Sequence, residues 1–396
     1  MRQKWLLIIQ LSLLTAFITF TSTPSFSAQW YETQGWAPII NGDLEGAREK
    51  AIENALRQSL DLAGGQIESV EEVVDGVITG QSIQWRSRGS IEHVELVRER
   101  TNGERHEVTL RTLVQPQNAS CGSAQFQPTA VLTHFEVMDD SQLRHGAIDD
   151  IPSASAFRFS RLLGRHSQKL NIQHFLSTPQ GLVQRMRAPD STELEDWARH
   201  VGYEHDSQYV IAGIFHDLSA EPVSGANLTF WRHPNYERHY ELSIYLIEAA
   251  SGNLITTASV SGTAPWQFEY NEQVNVNSES FWQSAFGEQL ESKMRDVVYG
   301  FDEKLQCEPL RGRVVRTQSD SVFINLGTQH AISEGLSARI LHRGGFFDAQ
   351  GHYREQWVVN PNSFTVSQVN GSSSTLQASE SSHTLGVQVR DMVVFE

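Results

Sequence analysis

The chain has 396 residues, of which 39% are hydrophobic and 20% charged, with a formal net charge of −16. That apolar fraction excludes an intrinsically disordered protein, and the length exceeds one ordinary domain while allowing two or three, each with its own core. The negative charge excludes non-specific nucleic-acid binding and disfavours anionic lipid surfaces.

Arg2 and Lys4 make a short positive stretch, and 5–20 is a mostly apolar run broken only by Gln10, Ser12, Thr15 and Thr19. The run is shorter than the roughly 20 apolar residues of a spanning helix. Pro24 and Ser25-Phe26-Ser27 follow it with small residues suited to cleavage. Residues 1–27 are therefore expected to be a secretory signal peptide; the alternative is an uncleaved anchor. The chain's cysteines, Cys121 and Cys307, lie far beyond this run, which argues against a lipid anchor. No later stretch approaches membrane length, so no direct membrane span is expected.

An N-terminal α+β domain is expected over 28–115. It opens on an extended aromatic stretch, Trp30-Tyr31-Glu32 with Gly35-Trp36-Ala37. A helix follows in which Asp43 is placed as the cap and Leu44, Ala47, Ala51 and Ala55 recur at helical spacing, before Gly64-Gly65 stops the pattern. A face of alanines implies close packing on a sheet. That sheet is expected from 73–78, 91–100 and 106–114, the last two joined at Asn102-Gly103, a strong hairpin signal.

Between 116 and 127 the sequence turns to Gln, Asn, Ser and Gly without periodicity, which predicts a linker containing Cys121. An α/β middle domain is expected over 128–308, with strands at 130–137, 170–175 and 209–215, the last apolar throughout and so central. Helices are expected at 154–163, from Asp190 and Glu193 to a stop at Gly202, and continuously over 280–305. Two alternating segments, 240–248 and 254–262, read as a hairpin. From 309 to 396 short strands at 312–317, 321–325, 337–341, 364–369, 373–378 and 387–395 are separated by turn residues, which predicts a small SH3-like β-barrel.

Fifteen histidines invite a search for metal or catalytic chemistry. His200, Glu204, His205, Asp206 and His216 lie close in sequence, but the spacing of His200 and His205 sends them to different helix faces, so loop and surface histidines are expected instead of a metal site. His106-Glu107 lacks the second histidine of a zinc protease motif, and the commonest acyl-transfer and nucleotide-binding signatures are absent. No catalytic residue, metal ligand or cofactor is expected. Trp30, Trp36, Trp85, Trp266 and Trp282 could anchor partners, but tryptophans at element edges more often serve the core, so no interaction surface is assigned. Cys121 and Cys307 flank the middle domain and, in an exported protein, invite pairing; the alternative is two buried thiols. A bond would clamp both domain junctions and leave the barrel outside the clamp. On this reading the N-terminal domain presents its face independently, and loss of the barrel leaves the other two domains folded.

Over essentially its whole mature length the sequence resembles the flagellar assembly protein T family. The resemblance is carried by Trp30-Tyr31-Glu32, Gly35-Trp36-Ala37, the helix 47–58, Tyr209-Val210-Ile211-Ala212-Gly213-Ile214-Phe215 and Ile324-Asn325-Leu326-Gly327. It implies three domains, the middle one similar to the N-terminal domain of the translocation protein TolB, and a non-catalytic periplasmic role at the base of a sodium-driven polar flagellum. The implied place is the H ring around the outer-membrane and peptidoglycan rings, self-associated and supporting the T ring of MotX and MotY. A TolB-like scaffold or cargo-binding protein unrelated to flagella is the competing reading, and a periplasmic hydrolase a weaker third.

Overall fold

The computed structural model describes residues 28–40, 42–63, 91–114, 126–187, 192–223, 236–306, 308–318, 320–378 and 386–395. Among these residues strands predominate, with a few helices packed on their sheets. The expected strand at 73–78, and nearly all of the linker, fall outside them.

In the N-terminal unit, strand β1 (Gln29–Pro38) leads into helix α1 (Leu44–Ala63), followed by β2 (Ile91–Asn102) and β3 (Arg105–Val114). β3 pairs antiparallel with β1 on one side and β2 on the other, and the β2–β3 turn uses Gly103 at φ +62°. Asp43 caps α1 as expected, accepting a hydrogen bond from Gly46 N at 2.9 Å. The alanine face sits directly on the sheet because Gly35 leaves room for it: a Cβ there would lie 1.9 Å from the Ala51 carbonyl oxygen. At so short a separation polar groups need partners. Thr33 Oγ1 donates to the Ala55 carbonyl at 2.9 Å, and the Ser59 hydroxyl lies 3.0 Å from it and 3.1 Å from Thr112 Oγ1.

The middle unit contains β4 (Thr129–Thr133), β5 (Glu136–Val137), α2 (Ile151–His166), β6 (Asn171–Leu176), α3 (Leu182–Arg187), α4 (Thr192–Glu204), β7 (Tyr209–Asp217), β8 (Ala220–Pro222), β9 (Tyr236–Glu248), β10 (Leu254–Trp266), α5 (Glu279–Trp282) and α6 (Ala285–Leu305). Its main sheet runs β10-β9-β7-β4-β6 and is mixed: β4 is parallel to β6 and β7, whereas β7, β9 and β10 are antiparallel neighbours. β7 is apolar on both faces because both are covered. Tyr209, Ile211 and Phe215 pack in one core with residues of α2 and α6, and Val210, Ala212 and Ile214 in another with Trp197, Ala198 and Val201 of α4. Two helix expectations are corrected. The segment 280–305 breaks where Ser284 caps α6 by accepting from Gly287 N at 3.2 Å. Gly202 lies inside α4, where its missing side chain lets the helix meet Ala249.

The C-terminal unit contains β11 (Leu310–Gln318), β12 (Ser321–Ile324), β13 (Ser337–Phe347), β14 (Tyr353–Val359), β15 (Phe364–Val369), β16 (Ser374–Ala378) and β17 (Met392–Phe395). The pairings β11–β12–β16–β15–β13–β17–β11 return to their start, closing a barrel that needs no free edge. β13 outruns the barrel and forms a hairpin with β14, a strand the sequence pattern does not announce.

β14 then pairs in parallel with β1, Trp30 opposite Gln356, Tyr31 opposite Trp357 and Glu32 opposite Val358. The first and last units therefore share one continuous sheet, β15-β16-β12-β11-β17-β13-β14-β1-β3-β2. They also share a core: Leu341, Trp357, Val359, Met392 and Val394 pack with Tyr31, Ile52, Leu56 and Leu110. This corrects the expectation of an N-terminal domain that presents its face independently, and of a barrel whose loss leaves it intact.

Candidate functional site

The three units converge where α6 ends and β11 begins. β1 brings Tyr31, the end of α1 brings the Leu62 carbonyl, the end of β9 brings Glu248, and β11 brings Arg311. Arg311 Nη1 donates to Glu248 Oε1 at 2.5 Å and lies 3.4 Å from Glu308 Oε2, while Nη2 donates to the Leu62 carbonyl at 3.3 Å. Ser251 Oγ donates to the other Glu248 oxygen at 2.5 Å, and Asn253 Nδ2 donates to Gln29 Oε1 at 3.0 Å. One guanidinium thus ties the barrel to the middle unit by charge and to the N-terminal helix by a carbonyl.

Burial sets the electrostatics here. It works against the charge of Arg311, but Glu248 and Glu308 outweigh it and hold the guanidinium more firmly protonated than usual. Burial pushes the Tyr31 phenol up to about 12, raises Tyr209 well above its ordinary value and raises Glu308 as well. Removing one member of a buried ion pair strands the other, at a cost of about 3–5 kcal/mol. The junction's chemistry is geometric: it fixes the angles between three units.

Beside it, a second polar cluster seals the β1–β14 seam. Arg111 Nε donates to Gln356 Oε1 at 2.8 Å, and Gln356 Nε2 donates to Glu32 Oε2 at 3.2 Å. Arg111 also lies over the Phe346 ring at 3.9 Å, with Trp30 edge-on to the same ring.

The histidines and acids singled out in the sequence disperse. His200 pairs with Glu204 at 3.3 Å on the α4 surface, His205 meets the His174 ring, His216 meets Ser243, and Asp206 turns to Arg313 and Asn325. His106 is buried against Glu99 and Thr101. Among the described residues no group of three or more His, Cys, Asp or Glu is placed to hold a metal ion, and no helix is long and apolar enough to cross a membrane. Trp266 and Trp282 are buried; Trp36 is 48% exposed, with the Arg105 guanidinium 4.0 Å from its ring; Trp85 lies outside the described residues. Cys121 and Cys307 also lie outside them. Their described flanks meet, because Phe126 packs on the Phe395 ring and Leu310 is the register partner of Phe395.

Arg311, Glu248 and Gln356 have no local signature in the sequence. A charged residue just after a helix reads as solvated, and its partner's identity depends on the fold.

Sequence models of flagellar assembly protein T match the chain in three consecutive pieces: the N-terminal domain at 29–116, the middle domain at 119–276 and the C-terminal domain at 319–395. No curated protein sequence matches. Among solved structures, a hypothetical protein of Chlamydia trachomatis aligns at 11% identity and TM-score 0.34, covering 46% of this chain and 98% of its own. The PelC dodecamer of Paraburkholderia phytofirmans aligns at 12% and 0.25, covering 48% and 94%. A lipoprotein of Neisseria meningitidis aligns at 10% and 0.22, covering 44% and 97%.

Proposed function

Because the chain belongs to the flagellar assembly protein T family, whose three domain models it matches in order, we propose that it is a non-catalytic structural protein of the flagellar basal body. In this reading the mature chain is periplasmic, freed of residues 1–27. It associates with copies of itself into the H ring around the outer-membrane and peptidoglycan rings, and it supports a T ring of MotX and MotY and the sodium-driven stators. Middle and C-terminal units correspond to a TolB-N-like domain and an SH3-like barrel.

The observation that carries this reading furthest is the locking of all three units at Arg311, reinforced by the β1–β14 seam. A closed ring needs head-to-tail contacts at a fixed angle, and a protomer with rigid internal angles supplies it. We assign the T-ring face to the N-terminal unit and the ring-building face to the middle unit, with the barrel bracing the N-terminal unit. Electron cryotomography of basal bodies in a deletion strain tests the whole reading. Loss of an outer ring and of swimming, both restored by the full-length chain, is the expected result; intact rings and motility in the deletion strain overturn it.

A further inference from the structure

A groove of about 990 Å³ opens along β1 beyond the seam. β14 covers β1 only at Trp30, Tyr31 and Glu32, ends at Val359, and turns away as Asn360 N donates to the Ile340 carbonyl. β1 itself continues to Pro38. On its other side Ile39 N donates to the Glu104 carbonyl at 2.6 Å, and the bonding positions of an antiparallel pair recur at every second residue. Thr33, Gly35 and Ala37 therefore bond to β3, while Gln34, Trp36 and Pro38 aim their backbone groups into the groove. The Trp36 carbonyl agrees, accepting from Asn54 Nδ2 of α1 at 3.0 Å. The N–H and carbonyl of Gln34 and the N–H of Trp36 have no partner among the described residues. Open strand edges are ordinarily guarded by charges on the strand itself. β2, at the end of the same sheet, carries Glu95, Arg98, Glu99 and Arg100, whereas β1 from Thr33 to Pro38 carries no charge.

The walls of the groove carry six cations and three carboxylates, in a chain whose net charge is −16. Arg57 pairs with Glu53 at 2.6 Å and Arg100 with Glu107 at 2.7 Å, and Asp61 lies in the field of Arg339 and Arg57. Lys50 on the helix wall and Arg98 and Arg105 on the sheet wall make no ion pair among the described residues; Arg105 lies instead over the half-exposed Trp36 ring. Of the acids outside the walls, Glu99 is held by Arg48 at 2.6 Å and by His106 at 3.0 Å. Glu49 and Glu104 neighbour the unpaired cations in sequence but stand off the walls.

We propose that this edge is a strand-addition site: an extended, acidic segment of a protein partner lies along β1 beyond β14, exchanging main-chain hydrogen bonds with Gln34 and Trp36. Its carboxylates meet Lys50, Arg98 and Arg105, and the Trp36 ring gives it an apolar contact. The proposal rests on the assignment of a partner face to the N-terminal unit, and gives that face an edge and a charge.

The test titrates a dye-labelled, amidated Glu-Val-Glu-Val-Glu peptide with the mature chain at low salt, read by fluorescence anisotropy, with Lys-Val-Lys-Val-Lys as control. Residue-resolved hydrogen exchange accompanies it. The acidic peptide is expected to bind and to slow exchange of the Gln34 and Trp36 amides, leaving Gly35 N–H, already bonded to β3, unchanged. Gln34→Pro removes an outward N–H that β3 does not use, a change edge positions tolerate, and is expected to weaken binding about tenfold or more. Lys50→Gln combined with Arg98→Gln leaves the backbone edge intact and is expected to weaken binding and to flatten its salt dependence. No binding to the unaltered chain up to about 1 mM, equal binding of the lysine peptide, or unchanged exchange at Gln34 and Trp36 in the bound state each overturns the proposal. The titration requires no flagellum and the deletion strain reports on rings alone, so the two readings fail separately.

Discussion

Tyr31 lies opposite Trp357 across the parallel seam that joins the first strand of the chain to its last unit, and both side chains are buried. Parallel pairs are made between segments distant in sequence, so this seam binds the fate of one end of the chain to the other.

Trp357→Ala is expected to destabilise the protein by about 3–5 kcal/mol, the usual cost of emptying a buried aromatic site. The effect should reach the N-terminal unit: hydrogen exchange of the β1 and α1 amides should accelerate, and a chain ending near Leu305 should lose their protection outright. Undiminished protection of β1 in that truncated chain would contradict a shared sheet.

Arg311→Met is expected to lower unfolding stability by about 3–5 kcal/mol, because it strands the buried Glu248 charge, and Glu248→Gln by less, because Glu308 stays 3.4 Å from Arg311. The double variant should recover much of that loss. Urea denaturation of the four proteins gives the coupling energy, and simple additivity would show that the two residues act apart.

His330 makes the barrel acid-sensitive. Its Nδ1 accepts from Gly327 N at 3.0 Å, and burial pushes its pKa down to about 4. The unfolded chain takes up that proton near its ordinary value of about 6.5, so the stabilising contribution is complete above about 6.5 and is lost progressively as the pH falls to about 4. The loss amounts to roughly 3 kcal/mol. His330→Asn keeps an acceptor for Gly327 N and should flatten the fall in urea midpoint between pH 7 and pH 4.5; an unchanged slope would assign the acid sensitivity elsewhere.

Cys121 and Cys307 are expected to be bonded in the purified protein, closing a loop of 186 residues by sequence difference (307 − 121). On a loop-entropy account such a closure is worth roughly 5 kcal/mol. Mass spectrometry of a non-reduced digest should find the linked peptides, and full alkylation of both thiols without reductant would exclude the bond.

Much of the fold is legible in local pattern. The alanine face of α1, the Asn102-Gly103 turn and the unbroken apolar run of β7 each report a neighbour of a definite kind, close backbone, a tight reversal and two covered faces. β14 escapes because its two halves meet different surroundings: Tyr353, Arg354 and Glu355 are exposed at a hairpin tip, while Gln356, Trp357 and Val359 are buried in the seam. No single periodicity spans both. The break at Ser284 is masked because apolar spacing continues through Phe281 and Phe286 on either side. Of the candidate site almost nothing is legible, since the burial of Arg311 is conferred by Glu248, Leu62 and Tyr31, none of them near it in sequence.

The seam also dictates an order of events. Tyr31 is made 326 residues before Trp357 (357 − 31), an interval of about 15–65 s at roughly 5–20 residues per second. Until β14 appears, β1 can pair with β3 but keeps a bare edge, and the shared core lacks Leu341, Trp357 and Met392. A nascent chain in this condition is a template for pairing with other nascent chains. The N-terminal unit, synthesised well before the strand that completes its sheet, therefore matures only after β14 and the core residues up to Val394 have been made.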